Sequence, residues 1–468
     1  MKWRGRGLGA LARAHYRRGI AVLGVAALAT AVATTTSSAA NAGSSGSATA
    51  SVAAATPAPP GGFITDFVKY VHGKAGPANP KLAPALIGWS SNNSGGSVIS
   101  IGPEASAAAQ VTVSWINKYA GGIGGHPLVL DNCIVLNAEE EGLACAQKFL
   151  NNPAVKLISF GALSVGAATI EQTVAGKKPI IIGFALNASD VTAKNTSILF
   201  GVGGFQGYED ATFAKQYMHA KSCAVIYPNE AGLNLQAGYV DLACKYAGLP
   251  SKLVPFDPTT SDLTGALTAA GATKAGATIA PLVTAPANCL AAAKAIAQLG
   301  IKPSQVLWYT QCQQPTIKSQ YPGGDYPKYY SSISQSGDAL INDPTGVAFQ
   351  SALAKFGHGQ DAGDDWYSGI FGQVMTIAQF MNTIGYSKLT GAAVENTLKS
   401  WKGPLLLGGP NINCGEYKFE PGGCSDGNYF FQYQGNGKWA RVSPWLHPPT
   451  ALIAKLKSLP PGSQFPSG

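Results

Sequence analysis

The chain is poor in charge. Asp, Glu, Lys and Arg together make up 12% of its 468 residues, about half the usual share. Arginine all but disappears after the first eighteen positions, where Arg441 is the sole example. Proteins that grip nucleic acid normally carry a basic stripe with Arg for phosphates and base edges. This chain has none, which argues against a nucleic-acid partner. Six histidines (His15, His72, His126, His219, His358, His447) are scattered without pairing and there is no Cys-x-x-Cys, so neither a metal site nor a cofactor is expected. Beyond the N-terminal leader no segment is long and apolar enough to cross a membrane.

The formal charge of +9 is a property of the leader. Lys2, Arg4, Arg6, Arg13, Arg17 and Arg18 account for six of the 33 basic residues, and no Asp or Glu accompanies them. Elsewhere 27 basic residues face 24 acidic ones. The basic stretch is followed by an apolar segment from Gly19 to Ala33 and by Ala40-Asn41-Ala42, a small-x-small cleavage pattern. This is the layout of a secretory signal peptide. Residues 1–42 are therefore expected to direct export, with an uncleaved, membrane-anchoring leader as the alternative. Residues 43–82 follow as a low-complexity tether (Gly43 to Gly62) and a short amphipathic lead-in, Phe63 to His72.

All eight cysteines lie beyond the leader, which fits an oxidising compartment. Their connectivity is open, but they fall into four local pairs: Cys133/Cys145, Cys223/Cys244, Cys289/Cys312 and Cys414/Cys424. Each pair would staple a strand to an adjacent helix, strand or turn.

Apolar residues make up 46% of the chain, enough for more than one core. Strands are expected at Ala85–Trp89, Leu128–Asp131, Lys156–Phe160, Ile180–Gly183 and Ile198–Val202. A second series follows at Cys223–Tyr227, Leu253–Phe256, Ala277–Val283 and Gln305–Thr310, with helices between. Strands alternating with helices indicate doubly wound parallel sheets. After Ser331–Ser334 three helical stretches follow (344–357, 364–384, 390–400). The Gly- and aromatic-rich tail alternates at Tyr429–Tyr433 and Trp439–Val442, as antiparallel strands do. The late helices have no sheet of their own and are expected to cover the first sheet, with the closing strands joining the second. The division that follows is 83–204 with 335–402 as one lobe, 205–334 with 403–447 as the other, and 448–468 as a C-terminal tail. Several crossings between lobes make a hinge with a cleft.

In parallel sheets ligands sit beyond the carboxyl ends of the strands. Two strands here end in small residues closely followed by a polar side chain, Ser164 after Phe160 and Asn187 after Gly183. Ser164 stands where the next helix should begin, so its hydroxyl and the free N–H groups there can hold an anion or a carbonyl; a plain helix cap is the competing explanation. Trp89, Phe184 and Tyr309 are candidates for apolar walls. A hydrolase elbow needs glycine two residues before and after its serine; Gly166 fits, but Gly161 is one residue too early. Gly201 to Gln206 misses the dinucleotide fingerprint at Gln206. Asp364-Asp365 reads as a helix N-terminus, and Glu139 to Glu141 as a solvated first turn.

The order of elements, and the phrase INKYAGGIGGHPL from Ile116 to Leu128, resemble type I periplasmic-binding proteins, above all the Leu/Ile/Val-binding group that feeds ABC importers. The resemblance runs from Ala83 to Trp445, and Cys133/Cys145 lies near a disulfide of some members. It implies a two-lobed fold in which each lobe is a doubly wound parallel sheet with helices on both faces. It also implies that Ser164 and the Ala185-Leu186-Asn187 turn hold a ligand carboxylate. On the second lobe, Thr284 takes the place of a cleft tyrosine, and Gln311 falls where a carboxylate normally pairs with the ligand ammonium. A buried ammonium without that partner loses roughly 1.5–3 kcal/mol, which disfavours an ordinary α-amino acid. The expectation is thus a monomeric, exported, non-enzymatic binder of a small amino-acid-, amide- or carboxylate-like molecule, serving the membrane permease of an ABC importer. A ligand sensor of the same fold and a secreted hydrolase are the alternatives.

Overall fold

A computed structural model describes residue 59 and residues 61–93, 102–202, 207–229, 231–274, 276–283, 285–313, 315–333, 342–410, 412–415 and 421–458. The expected leader, nearly all of the Gly43–Gly62 tether, and Thr284 lie outside the described residues.

The first half alternates strand and helix. After a short turn of helix α1 (Phe67–Tyr70) come β1 (Ala85–Asn92), α2 (Gly102–Tyr119), β2 (Leu128–Val135), α3 (Glu139–Asn151), β3 (Val155–Phe160), α4 (Ala167–Val174), β4 (Ile180–Ile182), α5 (Ala188–Thr192) and β5 (Thr196–Val202). A second series comprises α6 (Asp210–Gln216), β6 (Ser222–Pro228), α7 (Ala231–Tyr246), β7 (Ser251–Phe256), α8 (Thr264–Ala270), β8 (Ala277–Pro281), α9 (Pro286–Gln298), β9 (Leu307–Tyr309) and β10 (Tyr330–Ile333). The chain closes with α10 (Pro344–Ala354), α11 (Asp365–Ile384), α12 (Gly391–Ser400), β11 (Gly423–Ser425), β12 (Tyr429–Gly435), β13 (Lys438–Arg441) and α13 (Thr450–Ser458).

Six strands form one wholly parallel sheet in the order β11-β5-β4-β3-β1-β2. The inner strands β3 and β4 are apolar runs buried on both faces, as parallel strands covered by helices must be. One face packs on α2 and the late helices α10 to α12, with Trp89, Trp115, Phe371 and Phe380 in that core. The other face packs on α3 and α4, in a core that continues into α7 and α13. Helix α11 is buried from Asp365 to Met381. It is capped by Asp364, whose carboxylate accepts from the Trp366 N–H at 2.8 Å.

The second series forms a parallel sheet, β7-β6-β8, and, with β12 and β13 of the closing segment, a mixed sheet, β13-β12-β10-β9. The Gln305 side chain joins them by donating to the Ala277 carbonyl at 3.2 Å. The chain passes between the first sheet and these sheets three times: between β5 and β6, between β10 and α10, and between β11 and β12. Residues 403–447 are thus divided. β12 and β13 pair with β10, whereas β11 lies beside β5. Three-residue β11 is too short to show a periodicity, which is why the sequence did not separate it from its neighbours.

The four local cysteine pairs are all bonded, Cys133–Cys145 joining β2 to α3 and Cys223–Cys244 joining β6 to α7. Cys289–Cys312 ties α9 to the turn after β9, and Cys414–Cys424 anchors β11. Among the described residues no helix is long and apolar enough to cross a membrane.

Candidate solute-binding site at the carboxyl ends of the first sheet

The chain leaves β1 on one side to build β2 and returns on the other as β3, so the first sheet reverses direction between β1 and β3. That reversal opens a crevice at the carboxyl ends of these strands. Strand β1 runs three residues beyond Trp89, through Ser90, Ser91 and Asn92, and all three are fully buried. Polar residues endure there because neighbouring backbone satisfies them. The Ser90 hydroxyl donates to the Cys133 carbonyl at 2.9 Å, and the Ser91 hydroxyl to Gly102 and Ala162 at 3.2 Å each.

Asn92 is the junction of the site. Its Nδ2 donates to the carbonyls of Val135 (3.3 Å) and Val165 (3.2 Å), at the end of β2 and in the turn after β3. Its Oδ1 accepts the Ser164 N–H at 2.6 Å and the Ser164 hydroxyl at 3.3 Å. One side chain therefore fixes the ends of three strands and the position of Ser164. Helix α4 begins only at Ala167, with Gly166 as its N-cap at φ 84°, a conformation that favours glycine. Ser164 is therefore not the helix cap. Its hydroxyl lies half-buried against Asn92, with lone pairs still able to accept.

The next turn leans on this one. Asn187, the residue before α5, donates from Nδ2 to the Leu163 carbonyl at 3.3 Å. The N–H groups of Leu186 and Asn187 donate to Asp190 Oδ2 at 2.7 and 2.9 Å. Ala185 is buried beside them. The structure thus brings Ser164, Ala185 and Asn187 into one pair of interlocked turns. Trp89 lies underneath, fully buried, its indole N–H directed at Ser106 Oγ (3.4 Å) and its ring edge where a Gly161 side chain would have to be. The aromatic side chain nearer this turn is Phe184, half-buried and edge-on to Trp366 with ring centres 4.4 Å apart. Gln311 lies in the turn Thr310–Gln313 after β9.

The sequence from 84 to 419 matches the family model for the periplasmic binding protein. The chain belongs to the periplasmic binding protein family. No curated protein matches it significantly. The fold is similar to that of an ABC transporter substrate-binding protein from Sphaerobacter thermophilus (TM-score 0.62, 15% identity, 78% of this chain and 98% of that one). It is also similar to a fatty acid ABC transporter substrate-binding protein from Thermomonospora curvata (TM-score 0.61, 15% identity, 87% and 100%). A leucine-binding protein from Thermotoga maritima has TM-score 0.59 and 15% identity over 78% of this chain and 99% of that one. This periplasmic binding protein is accordingly two-lobed, with a solute-binding role.

Sequence reasoning passed over several groups of this periplasmic binding protein that gather near the start of α11. Burial, then the charges of Asp365 and Glu104, push the Asp364 carboxyl above its usual range. From the other sheet system Tyr326 comes close enough to feel Asp364 and Asp365. Burial, then Tyr433 and Asp364, hold its hydroxyl protonated. Tyr326 donates to the Gln313 carbonyl, while Tyr433 donates to Asp325 at 2.7 Å, beside Lys318 at 3.2 Å. Their spread along the sequence, from Glu104 through Tyr326 and Asp364 to Tyr433, hid this grouping, although the Asp-Asp pair before Trp366 was a visible signal. Among the described residues, His72 bonds the Thr383 hydroxyl, His126 the Ala83 carbonyl, His358 the Asp361 carboxylate and His447 the Asp426 carbonyl. Ser164 makes its own side-chain bond to Asn92.

Proposed function

We propose that the protein captures a small polar or amphipathic solute of amino-acid, amide or carboxylate character between its lobes, closing about the three crossings, and delivers it outside the cytoplasm to the permease of an ABC importer. The observation that carries this reading is the pair of interlocked turns after β3 and β4. They set the Ser164 hydroxyl and the Asn187 amide side by side at the direction reversal of the sheet, with the turns' own N–H groups held by Asn92, Glu139 and Asp190. Such a surface holds a carbonyl or carboxylate end when the Ser164 O–H turns from its long 3.3 Å bond to Asn92, which keeps the Ser164 N–H, and donates to the solute. Two structural neighbours are named for fatty acid and for leucine, and both of those molecules carry a carboxylate. The division into lobes at 83–204 with 335–402, and 205–334 with 403–447 except that β11 and the segment leading to it join the first, belongs to this reading, as do export by the leader and a monomeric state. Thr284 and Gln311 are the proposed second-lobe contacts.

The test is a thermal-shift panel of amino acids, amides, mono- and dicarboxylates, fatty acids and sugars on the protein from Gly43. A solute at a hundred times its dissociation constant stabilises the fold by about 2.7 kcal/mol. Ser164→Ala should then weaken binding of the responding solute without lowering the melting temperature of the unliganded protein, whereas Asn187→Ala should weaken binding and also forfeit the bond to the Leu163 carbonyl. Stabilisation by sugars alone, or by none of these classes, would overturn the solute class.

A further inference from the structure

We propose that Glu171 and Asp190 are positioning residues: they share one proton, and that proton holds the Ala185–Asn187 turn in place against the Ser164 turn. The proposal takes from the functional reading only that these two turns face the solute.

Glu171 lies on α4, the helix that follows the Ser164 turn, and Asp190 on α5, the helix that follows the Asn187 turn. Both are buried, at 3% and 1% exposure. Asp190 Oδ2 is filled by the N–H groups of Leu186 and Asn187 at 2.7 and 2.9 Å. Glu171 Oε1 accepts the Thr196 hydroxyl at 3.3 Å. The remaining oxygens, Glu171 Oε2 and Asp190 Oδ1, make no hydrogen bond to any other group, and the packing of α4 against α5 brings the two carboxyls close enough to act on each other. Two carboxylates cannot stand side by side in such a setting, because each charge opposes the other in low dielectric. One proton resolves both deficits: as an acid O–H on Glu171 it donates to Asp190 and supplies the missing bond.

The electrostatics assign the proton to Glu171. Burial, then the charge of Asp190, raise the Glu171 carboxyl, with the hydroxyls of Ser189 and Thr196 acting in the other direction. Burial raises Asp190 too, but the two backbone N–H groups and the Glu171 bond favour its charged form. These are the groups that act on the pair, and no cation is among them. Loss of the proton would place two negative charges between α4 and α5. Asp190 would then be driven from the amides it holds, and the turn would lose its anchor to the helix behind Ser164.

The test uses the full-length protein without solute. In wild type the side-chain carboxyl carbon of Glu171, followed by carbon-13 NMR, is expected to titrate only above about pH 8. Over the same range the amides of Leu186 and Asn187 should lose about tenfold more exchange protection than intrinsic exchange chemistry accounts for. Glu171→Gln supplies a donor that cannot ionise, so it should keep those amides protected at alkaline pH. A Glu171 carboxyl that titrates below about pH 6 would overturn the proposal, as would identical loss of protection in E171Q. If E171Q fails to fold, the wild-type carboxyl titration decides alone. Since no solute enters the experiment, its failure is separable from failure of the solute reading. A shared proton found as described, with Ser164→Ala leaving solute affinity unchanged, would refute only the latter.

Discussion

Replacing Asn92 tests whether the site is built as described. Asn92→Ala removes the acceptor of the Ser164 N–H, held at 2.6 Å, and two donors to Val135 and Val165. The Val135 carbonyl keeps the Asn93 N–H at 3.2 Å, so the main losses are the orphaned Ser164 amide and a cavity the size of the carboxamide. An unsatisfied buried donor costs about 1–3 kcal/mol and a small cavity about 1 kcal/mol more, roughly 2–4 kcal/mol together. Asn92→Asp is the sharper variant. It keeps the acceptor for Ser164 but turns a carboxylate oxygen towards the two carbonyls that Nδ2 had served.

At neutral pH, N92D should therefore be no more stable than N92A. Protonation restores one donor, so the folded-state pKa of the new carboxyl must be raised above its unfolded value. A raised pKa adds stability that is complete below about pH 4 and is lost as pH rises through the folded value. N92D should thus recover on acidification, and N92A should not. Urea unfolding followed by tryptophan fluorescence suits the question, since Trp89, Trp115 and Trp366 lie in the core under the site. N92A within about 0.5 kcal/mol of wild type, or N92D more stable than N92A at pH 7, would refute the assigned role of the amide.

Three further predictions concern the scaffold. Burial, then the charge of Asp210, raise the Glu209 carboxyl to about 8 from 4.5. The stability it contributes is complete below pH 4.5 and is lost as pH rises towards 8, a change of roughly 3–5 kcal/mol, which Glu209→Gln should flatten in pH-dependent melting curves. The Tyr70 hydroxyl meets Thr376 Oγ1 at 2.8 Å and accepts the Leu406 N–H at 3.0 Å, so Tyr70→Phe should cost about 1–3 kcal/mol by urea unfolding. The Cys133–Cys145 bond closes a loop of sequence separation 12. The double serine variant should lose about 2–3 kcal/mol in oxidising buffer and become insensitive to reductant at that site by mass spectrometry.

The parallel architecture was legible because its physics is local. Ile180 to Ile182, a β-branched run between Pro179 and Gly183, reads as a strand covered on both faces, and Asp343-Pro344 or Asp364-Asp365 announce helix starts through caps that the structure shows at Gly346 and Trp366. Ser164 and Asn187 stood out for a similar reason, as polar side chains directly beyond buried strands. Asn92 did not, because Ser90-Ser91-Asn92-Asn93 reads as a polar loop. Parallel pairing with β2 makes Ser90 to Asn92 strand, and the carbonyls of Cys133, Ala162, Val135 and Val165, from distant parts of the chain, satisfy their side chains. Glu171 was invisible on the same grounds. A glutamate within AATIEQTV looks solvent-facing until Asp190 and Thr196 enclose it.

These hidden residues have a common logic. Asn92 and Asp190 face inward and satisfy backbone groups of the turns, with Glu171 behind Asp190, whereas Ser164 and Asn187 stand in front of them and only half-buried. Interactions made to the protein's own backbone exist with or without solute, so removing them must lower stability and, by displacing the turns, affinity as well. Interactions that Ser164 makes to a solute exist only in the complex. Its bond to Asn92 at 3.3 Å is long, so Ser164→Ala should leave the unliganded protein within about 0.5 kcal/mol of wild type. A plot of stability loss against affinity loss should therefore separate the two groups, with N92A and D190A moving along both axes and S164A along affinity alone. If S164A instead destabilised the free protein as much as N92A, Ser164 would be a strut of the scaffold, and the solute would have to be held elsewhere in the crevice.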